Sequence, residues 1–232
     1  MRRFISSGNV FDMWPSDRFP DWASGVWEPH VVRAVRENVR PGSVAIDVGA
    51  HVGVHAALMA QVCEGGMVMM FEPVPEVAEL AESNMRLNGI SNYRMIRSAL
   101  GDRSGAAVAV CVDKGNRGST LIEDTPMLLP SWSVEAGRWE VLMARMDDYG
   151  FKDVSFIKID VEGYERRVLN GARQTIETSM PVVAFESWRD HYGTPDSVES
   201  PARHSCIPLL QSWGYRVTPI GHADFIAVPG DI

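Results

Sequence analysis

The sequence predicts an α/β domain with a doubly wound sheet, mostly parallel and closed by an antiparallel last strand. Three observations carry this. Apolar runs alternate with segments of helical periodicity through the middle of the chain. A glycine turn follows the first central run, within residues 44–55. Asp47, Glu72, Asp160 and Glu186 stand at the C-terminal ends of four such runs, the rim where sheets of this kind bind ligands.

Residues 1–27 read as irregular. Phe11, Trp14, Phe19, Trp22 and Trp27 are interleaved with prolines and aspartates, which forbids a long helix. The stretch is expected as an arm that packs its aromatics on the domain, or as a lid or wall of the site. Pro29 suits the first turn of a helix, and Val31, Val32, Val35 and Val39 recur at helical spacing before Pro41-Gly42 ends it. Residues 1–40 are therefore assigned to an N-terminal arm and helix, and 41–232 to the main domain. The run at 43–48 is apolar rather than alternating, as in a strand covered on both faces. A helix over 52–62 and a buried strand over 67–71 follow. The next helix starts at Pro73 and Pro75 and stops at Asn88-Gly89. A third strand is expected over 92–97, a loop over 98–105 and a strand over 106–112. Residues 114–139, rich in Gly, Ser and Pro, read as a surface loop or hairpin. Short and central strands are expected over 141–146 and 154–159. One helix is expected over 165–178, with Val168, Leu169, Ala172 and Ile176 on one face. After a strand over 181–185, runs at 215–220 and 224–228, joined by Gly221-His222, predict the antiparallel closing pair.

With 45% hydrophobic residues, the 232-residue chain can bury a substantial core. A net charge of -8 and a pI near 5.3 supply no basic surplus for phosphate neutralisation, so no nucleic-acid partner is expected. Cys63, Cys111 and Cys206 are far apart and lack zinc spacing, so reduced thiols are expected. No apolar segment follows Met1-Arg2-Arg3 and no stretch approaches membrane-spanning length, which makes a cytoplasmic protein without membrane contact the expectation. The oligomeric state is unreadable.

The turn itself reads Asp47-x-Gly49-x-x-x-Gly53. A dinucleotide fingerprint would read G-x-G-x-x-G. An acid placed before the first glycine suits a ligand with an ammonium or sulfonium charge better than a pyrophosphate. That favours S-adenosyl-L-methionine (SAM) over NAD and makes an NAD-dependent oxidoreductase the alternative. A strand–turn–helix junction is also expected to present free backbone N–H groups. Glu72, following the second strand, is placed to accept the two hydroxyls of a ribose. His51 and His55 have the spacing of a helical metal pair, but no third ligand accompanies them. Nothing in the spacing of Asp147-Asp148 or Asp160/Glu162 demands a magnesium ion, and no metal is expected.

The sequence resembles the FkbM-type SAM-dependent methyltransferases. The matching pieces are Gly25-Val26-Trp27-Glu28-Pro29, Ile46-Asp47-Val48-Gly49-Ala50-His51-Val52-Gly53, Phe71-Glu72-Pro73, Asn88-Gly89, Ala99-Leu100-Gly101-Asp102, Ile157-Lys158-Ile159-Asp160-Val161-Glu162-Gly163-Tyr164-Glu165 and Val168-Leu169-Asn170-Gly171-Ala172. The resemblance implies a Rossmann-like class I methyltransferase sheet, SAM as cofactor, and O-methylation of a hydroxylated small molecule such as a sugar or secondary metabolite. A non-catalytic SAM-binding module is the other alternative. The family more often has Asn at position 51 and an aromatic at 55; both are histidines here. His51 retains the ability to donate a hydrogen bond to a bound carboxylate.

The resemblance implies a site for each candidate. Gly49, Ala50, His51 and Gly53 border the methionine end of SAM. Asp47 braces the loop or favours the cofactor's ammonium. Glu28 is either a helix-start acid or a contact near that end. Glu72 takes the ribose, and Ser98 and Ala99 border the adenine. Asp160 contacts the cofactor or, like Glu162, serves as base for the acceptor hydroxyl. Glu162 has a second reading, an ion pair with Lys158 or an arginine. Apart from the resemblance, His191, following the fifth strand, is a third base candidate because its free pKa is near neutrality, or else a surface or packing histidine; Trp188 and Tyr192 are candidate acceptor walls or rim packing.

Overall fold

The structure is a computed structural model that describes residues 1–15, 25–123, 134–187 and 205–230. Phe19, Trp22, Trp188, His191 and Tyr192 lie outside the described residues.

Among the described residues the central sheet has seven strands. The chain lays down β3 (Val44–Val48), β4 (Met67–Phe71) and β5 (Tyr93–Ile96) outward in one direction, then returns to build β10 (Val154–Ile159) and β11 (Val182–Glu186) on the other side of β3. All these neighbours pair in parallel. β13 (Asp224–Pro229) inserts antiparallel between β11 and the edge strand β12 (Tyr215–Pro219). Strand order thus reverses between β3 and β10, and the crevice beyond their C-terminal ends is the natural ligand site.

Side chains alternate along each strand and separate two cores. Ile46, Val48, Ile157 and Ile159 face a cluster completed by Val168, Leu169, Ala172 and Ile176. Ala45, Val68, Met70 and Phe156 face the opposite cluster, with α1 (Pro29–Asn38), α2 (Val54–Val62) and part of α3 (Pro75–Leu87). Helix α2 buries His55 and Ala56 through Ala60, so it is apolar nearly all round, as a fully covered helix must be.

Four differences from the sequence reading have physical causes. The N-terminal residues are not irregular: β1 (Arg2–Ser6) and β2 (Asn9–Met13) form an antiparallel hairpin. It turns at Ser7-Gly8, both at positive φ, and buries Phe11 and Met13. Five residues per strand were too few to show against the proline-rich stretch that follows. Second, the part after β5 is a separate four-stranded sheet. Its strands are β6 (Ala99–Leu100), β7 (Gly105–Cys111), β8 (Thr120–Ile122) and β9 (Gly137–Ala144), in the order β6-β9-β7-β8. Third, the expected helix over 165–178 is two, α4 (Glu165–Gly171) and α5 (Arg173–Ser179). A Cβ at Gly171 would lie 1.8 Å from the carbonyl oxygen of Gly101, so the chain must pass without a side chain there. Helix α5 then starts afresh: Asp147, in the 3-10 turn Met146–Tyr149, accepts the N–H groups of Gln174 (3.0 Å) and Thr175 (2.8 Å). Fourth, a short helix α6 (Ile207–Ser212) precedes β12.

Asn84 and Asn88 of the α3 end fasten the hairpin to the domain. Asn84 Oδ1 accepts from the Asp12 N–H, and its Nδ2 donates to the carbonyls of Asp12 and Val52. Asn88 exchanges the same pair of bonds with Val10. The three cysteines are free and buried. Among the described residues no helix is long and apolar enough to cross a membrane.

Candidate active site

A cavity of about 460 Å³ opens at the switch point. Its walls come from the ends of β3, β4, β10 and β11, from the hairpin arm through Met13 and Trp27, and from the loop before β8. That loop is held to the arm by the Arg117 guanidinium, 4.5 Å from the centre of the Trp14 ring. The described part of the arm is therefore both packed on the domain and a wall of the cavity.

The glycine turn spends its amides on the protein. Gly49 and Ala50 N–H both donate to the Phe71 carbonyl at 3.0 Å, Gly53 N–H to Ala50, and His51 N–H to Glu72 Oε2 at 3.1 Å. The expectation of free N–H groups fails at these four positions. Gly49 and Ala50 line the cavity but Gly53 does not. Gly53 caps α2 at φ +89° and packs near Met70. The missing side chain of Gly49 makes room for the backbone of Asp160.

Glu72 lines the cavity at the end of β4 and is 7% exposed. Its two oxygens accept from His51 N–H and, at 3.0 Å, from Val74 N–H, which fixes the carboxylate plane. Burial raises this carboxyl to about 7 against the pull of those N–H groups. Ser98 and Ala99 also line the cavity, but the Ser98 hydroxyl is occupied by the Ala99 and Leu142 carbonyls.

Glu28 precedes Pro29 in a left-handed conformation, φ +43°. It meets His55 Nε2 at 2.7 Å inside the cavity wall. Burial acts to raise the Glu28 carboxyl, but His55, Lys158 and Trp27 together outweigh it and hold it well below the usual carboxylate range. The imidazole at position 55, where the resemblance favours an aromatic, thus has a partner built for it. His51 also lines the cavity, and its Nε2 is buried without a hydrogen-bond partner among the described residues. Burial, reinforced by Lys158 and Arg117, lowers its imidazole to about 4, so it is neutral at pH 7.

Asp47 is 1% exposed and sits below the cavity floor rather than on its wall. Its Oδ1 is 3.6 Å from Lys158 Nζ, and neither oxygen has a hydrogen bond among the described residues. Burial raises its carboxyl, with Lys158 opposing. Lys158 Nζ is 3.1 Å from Asp160 Oδ2. The lysine therefore pairs with Asp160 and Asp47, not with Glu162. Burial opposes its charge, yet Asp160, Asp47 and Glu28 hold the ammonium above the ordinary lysine range.

Asp160, Glu162 and Glu186 bring one oxygen each to within 4.8 Å of one another, all on the cavity wall. Like charges so close resist joint ionisation. Burial and then Asp160 and Glu165 raise Glu162 to about 8; burial and the same neighbours, with Glu162, push Glu186 higher still. Glu165 shapes the loop by accepting from Val161 and Gly163 N–H. Glu162 itself is at φ +54°. Three carboxylate oxygens also form a donor set that suits a hard divalent cation. The Asp147-Asp148 pair lies elsewhere, holding α5 and the Ser104–Arg145 surface.

This geometry joins Glu28, Gly49, Ala50, His51, Glu72, Ser98, Ala99, Asp160 and Glu162 on one cavity. Sequence reasoning named Lys158 only as a partner for Glu162 and did not single out Tyr164; both line the same wall. Lysine inside an otherwise apolar strand was the available signal for the first.

The profile of the FkbM methyltransferase domain matches residues 47–217. The chain belongs to the FkbM methyltransferase family. The cofactor of that family is SAM. The central sheet carries its class I methyltransferase order. A crystal structure of an FkbM methyltransferase from Methylobacillus flagellatus KT superposes with a TM-score of 0.52 at 17% identity, covering 84% of this chain and 49% of that one. The 2-O-methyltransferase NoeI of Sinorhizobium fredii is 23% identical over 191 residues, 75% of this FkbM chain and 76% of NoeI. A protein-L-isoaspartate O-methyltransferase of Methanopyrus kandleri is 35% identical over 77 residues, but the chain spans only a third of its length, 33%.

Proposed function

We propose that this protein transfers the methyl group of SAM to a hydroxyl oxygen of a small acceptor of the sugar or secondary-metabolite kind. The observation that carries the reading is Glu72. A carboxylate clamped by two backbone N–H groups at the end of β4 still offers free lone pairs to a vicinal diol. The cavity also fits the cofactor's other groups. The unpartnered His51 Nε2 suits its carboxylate, and Glu28 suits its ammonium, which leaves Asp160 for the reacting groups. Gly49 and Ala50 border the same end, Asp47 supports it from below, and Ser98 and Ala99 border the adenine.

SAM supplies an electrophilic methyl group on a good leaving sulfide, so alignment is the main task of the protein. The hydroxyl acceptor needs a proton acceptor within hydrogen-bond reach. Asp160, Glu162 and His191 are the candidates. Glu162 is favoured, since a carboxyl near 8 both takes and releases a proton at physiological pH. Support for oxygen as acceptor comes from the activities named for the relatives, NoeI above all.

Calorimetric titration with SAM and with NAD, followed by mass spectrometry of a panel of hydroxylated acceptors incubated with SAM, tests the reading. SAM binding with a gain of one methyl group supports it. NAD binding in place of SAM overturns it, and SAM binding with no methylated product in any acceptor identifies a binding module instead.

A further inference from the structure

Lys158 is the buried cation of an acid-lined cavity. It lies on the central strand β10, 5% exposed, with its Cα paired to that of Asp47 on β3. Residues two apart on a strand share a face. Lys158 and Asp160 therefore meet side by side at 3.1 Å, and Asp47 approaches from the neighbouring strand at 3.6 Å. A buried ammonium with two carboxylates at unequal distances has one stiff orientation. It ties Asp160 by Oδ2 and leaves Oδ1 without a hydrogen-bond partner among the described residues.

Asp160 needs such an anchor. Its carboxylate shares a 4.8 Å cluster with Glu162 and Glu186, and either repulsion or a shared proton would swing it between rotamers. Glu165 fixes the backbone of the following loop but not the Asp160 side chain.

We infer that Lys158 is a positioning residue for methyl transfer, fixing the Asp160 carboxylate so that its free oxygen is presented to the reacting groups in the cavity. The inference rests on the methyltransferase reading above. It assigns the central-strand lysine a kinetic role, not merely a share in neutralising the core.

Lys158→Met alone leaves Asp47 buried without a counter-ion and threatens folding. The deciding variant is therefore Asp47→Asn with Lys158→Met, compared with Asp47→Asn alone and Lys158→Arg. The readouts are thermal midpoint, SAM affinity by calorimetry, and kcat and KM for an acceptor methylated by the wild type. The expected result is a folded double variant whose SAM Kd stays within about 5-fold of Asp47→Asn while kcat falls by about 100-fold, the scale of a misplaced reacting group. Lys158→Arg recovers at least a tenth of the wild-type kcat, because a guanidinium reaches the same oxygen. Unchanged kcat in the double variant overturns the inference, as does a loss confined to stability or SAM affinity. A wild type that binds SAM and methylates no acceptor overturns the functional reading and this inference with it; failure of the double variant to slow an active wild type overturns this inference alone.

Discussion

A Cβ placed on Gly49 would lie 1.9 Å from the carbonyl oxygen of Asp160. The glycine turn after β3 and the acidic loop after β10 are thus one packed unit, and the glycine exists for a neighbouring strand as much as for a ligand. Gly49 is also at φ +77°. Gly49→Ala is expected to lower stability by about 3 kcal/mol or more, from overpacking plus left-handed strain. Gly53→Ala meets nothing closer than 3.4 Å and is expected to cost about 1 kcal/mol. Urea unfolding of the two variants, read side by side, separates the two causes.

With Glu72 as the proposed ribose ligand, SAM affinity is expected to depend on pH. The Glu72 carboxyl is raised to about 7, so the ionised form grows as pH rises through neutrality. SAM Kd is expected to weaken as pH falls from 8 to 6. Glu72→Ala should weaken binding by about 10-fold or more, the worth of one or two charge-assisted hydrogen bonds, and leave the remaining affinity flat over that range. Calorimetry at three pH values checks both.

The raised carboxyls also govern stability. Glu72, Glu162 and Glu165 hold protons in the folded state up to about 7, 8 and 7, whereas the unfolded chain loses them near 4.5. At these three groups the folded state binds more protons in that window, so their contribution to stability falls as pH rises from about 5 to about 8, against the opposite contribution of His51 below about 6.5. Glu162→Gln removes the charge that Asp160 and Glu165 oppose. The midpoint of its thermal transition is expected to rise by a few degrees at pH 8, on the order of 1 kcal/mol, with little change at pH 5. If Glu162 is the base, kcat falls in the same variant.

The parallel sheet and its acidic rim were legible because buried strands are long apolar runs and the rim acids stop them at Asp47, Glu72, Asp160 and Glu186. Gly49 was legible as a necessity but not for its reason, since Asp160 lies more than a hundred residues away and no local pattern announces its carbonyl. The second sheet was legible only in part: strands were expected at 106–112 and 141–146, where β7 and much of β9 lie, but β6 has two residues and β8 three, too short for alternation to register. Lys158 was visible in the run at 154–159, but its partners depend on the register of β10 against β3, which the sequence does not state.

His55 and Glu28 form a coupled pair at 2.7 Å whose worth is measurable by a double-mutant cycle. His55→Phe, the substitution toward the family's aromatic, leaves the half-buried Glu28 without its partner. It is expected to destabilise by about 1–3 kcal/mol. Glu28→Gln with His55→Phe should recover part of that loss. Because the Glu28 carboxyl is held below its unfolded value, its contribution is present above about pH 4.5 and is lost on acidification below it. The loss from His55→Phe should therefore shrink at pH 3, as urea midpoints at pH 7 and pH 3 would show.

Asn84 carries the last prediction, because it reaches the cavity only through others. It is 1% exposed and does not line the cavity. Its Nδ2 donates to Val52 O at 2.9 Å and to Asp12 O at 3.1 Å, and its Oδ1 accepts from Asp12 N–H at 2.9 Å. Val52 belongs to the glycine turn, and Asp12 precedes Met13, which lines the cavity. One amide thus ties two walls of the site to α3. Asn84→Ala leaves these backbone groups unsatisfied and should cost about 2–4 kcal/mol. Asn84→Asp keeps the acceptor for Asp12 N–H but loses both donors, so it should release the turn while retaining one hold on the hairpin. Hydrogen exchange reads the difference directly. The β2 amides should open faster in Asn84→Ala than in Asn84→Asp, while SAM affinity falls several-fold in both, since both free Val52. If affinity is unchanged in both variants, the turn is held by its own amides on Phe71 and Glu72, and Asn84 serves the hairpin alone.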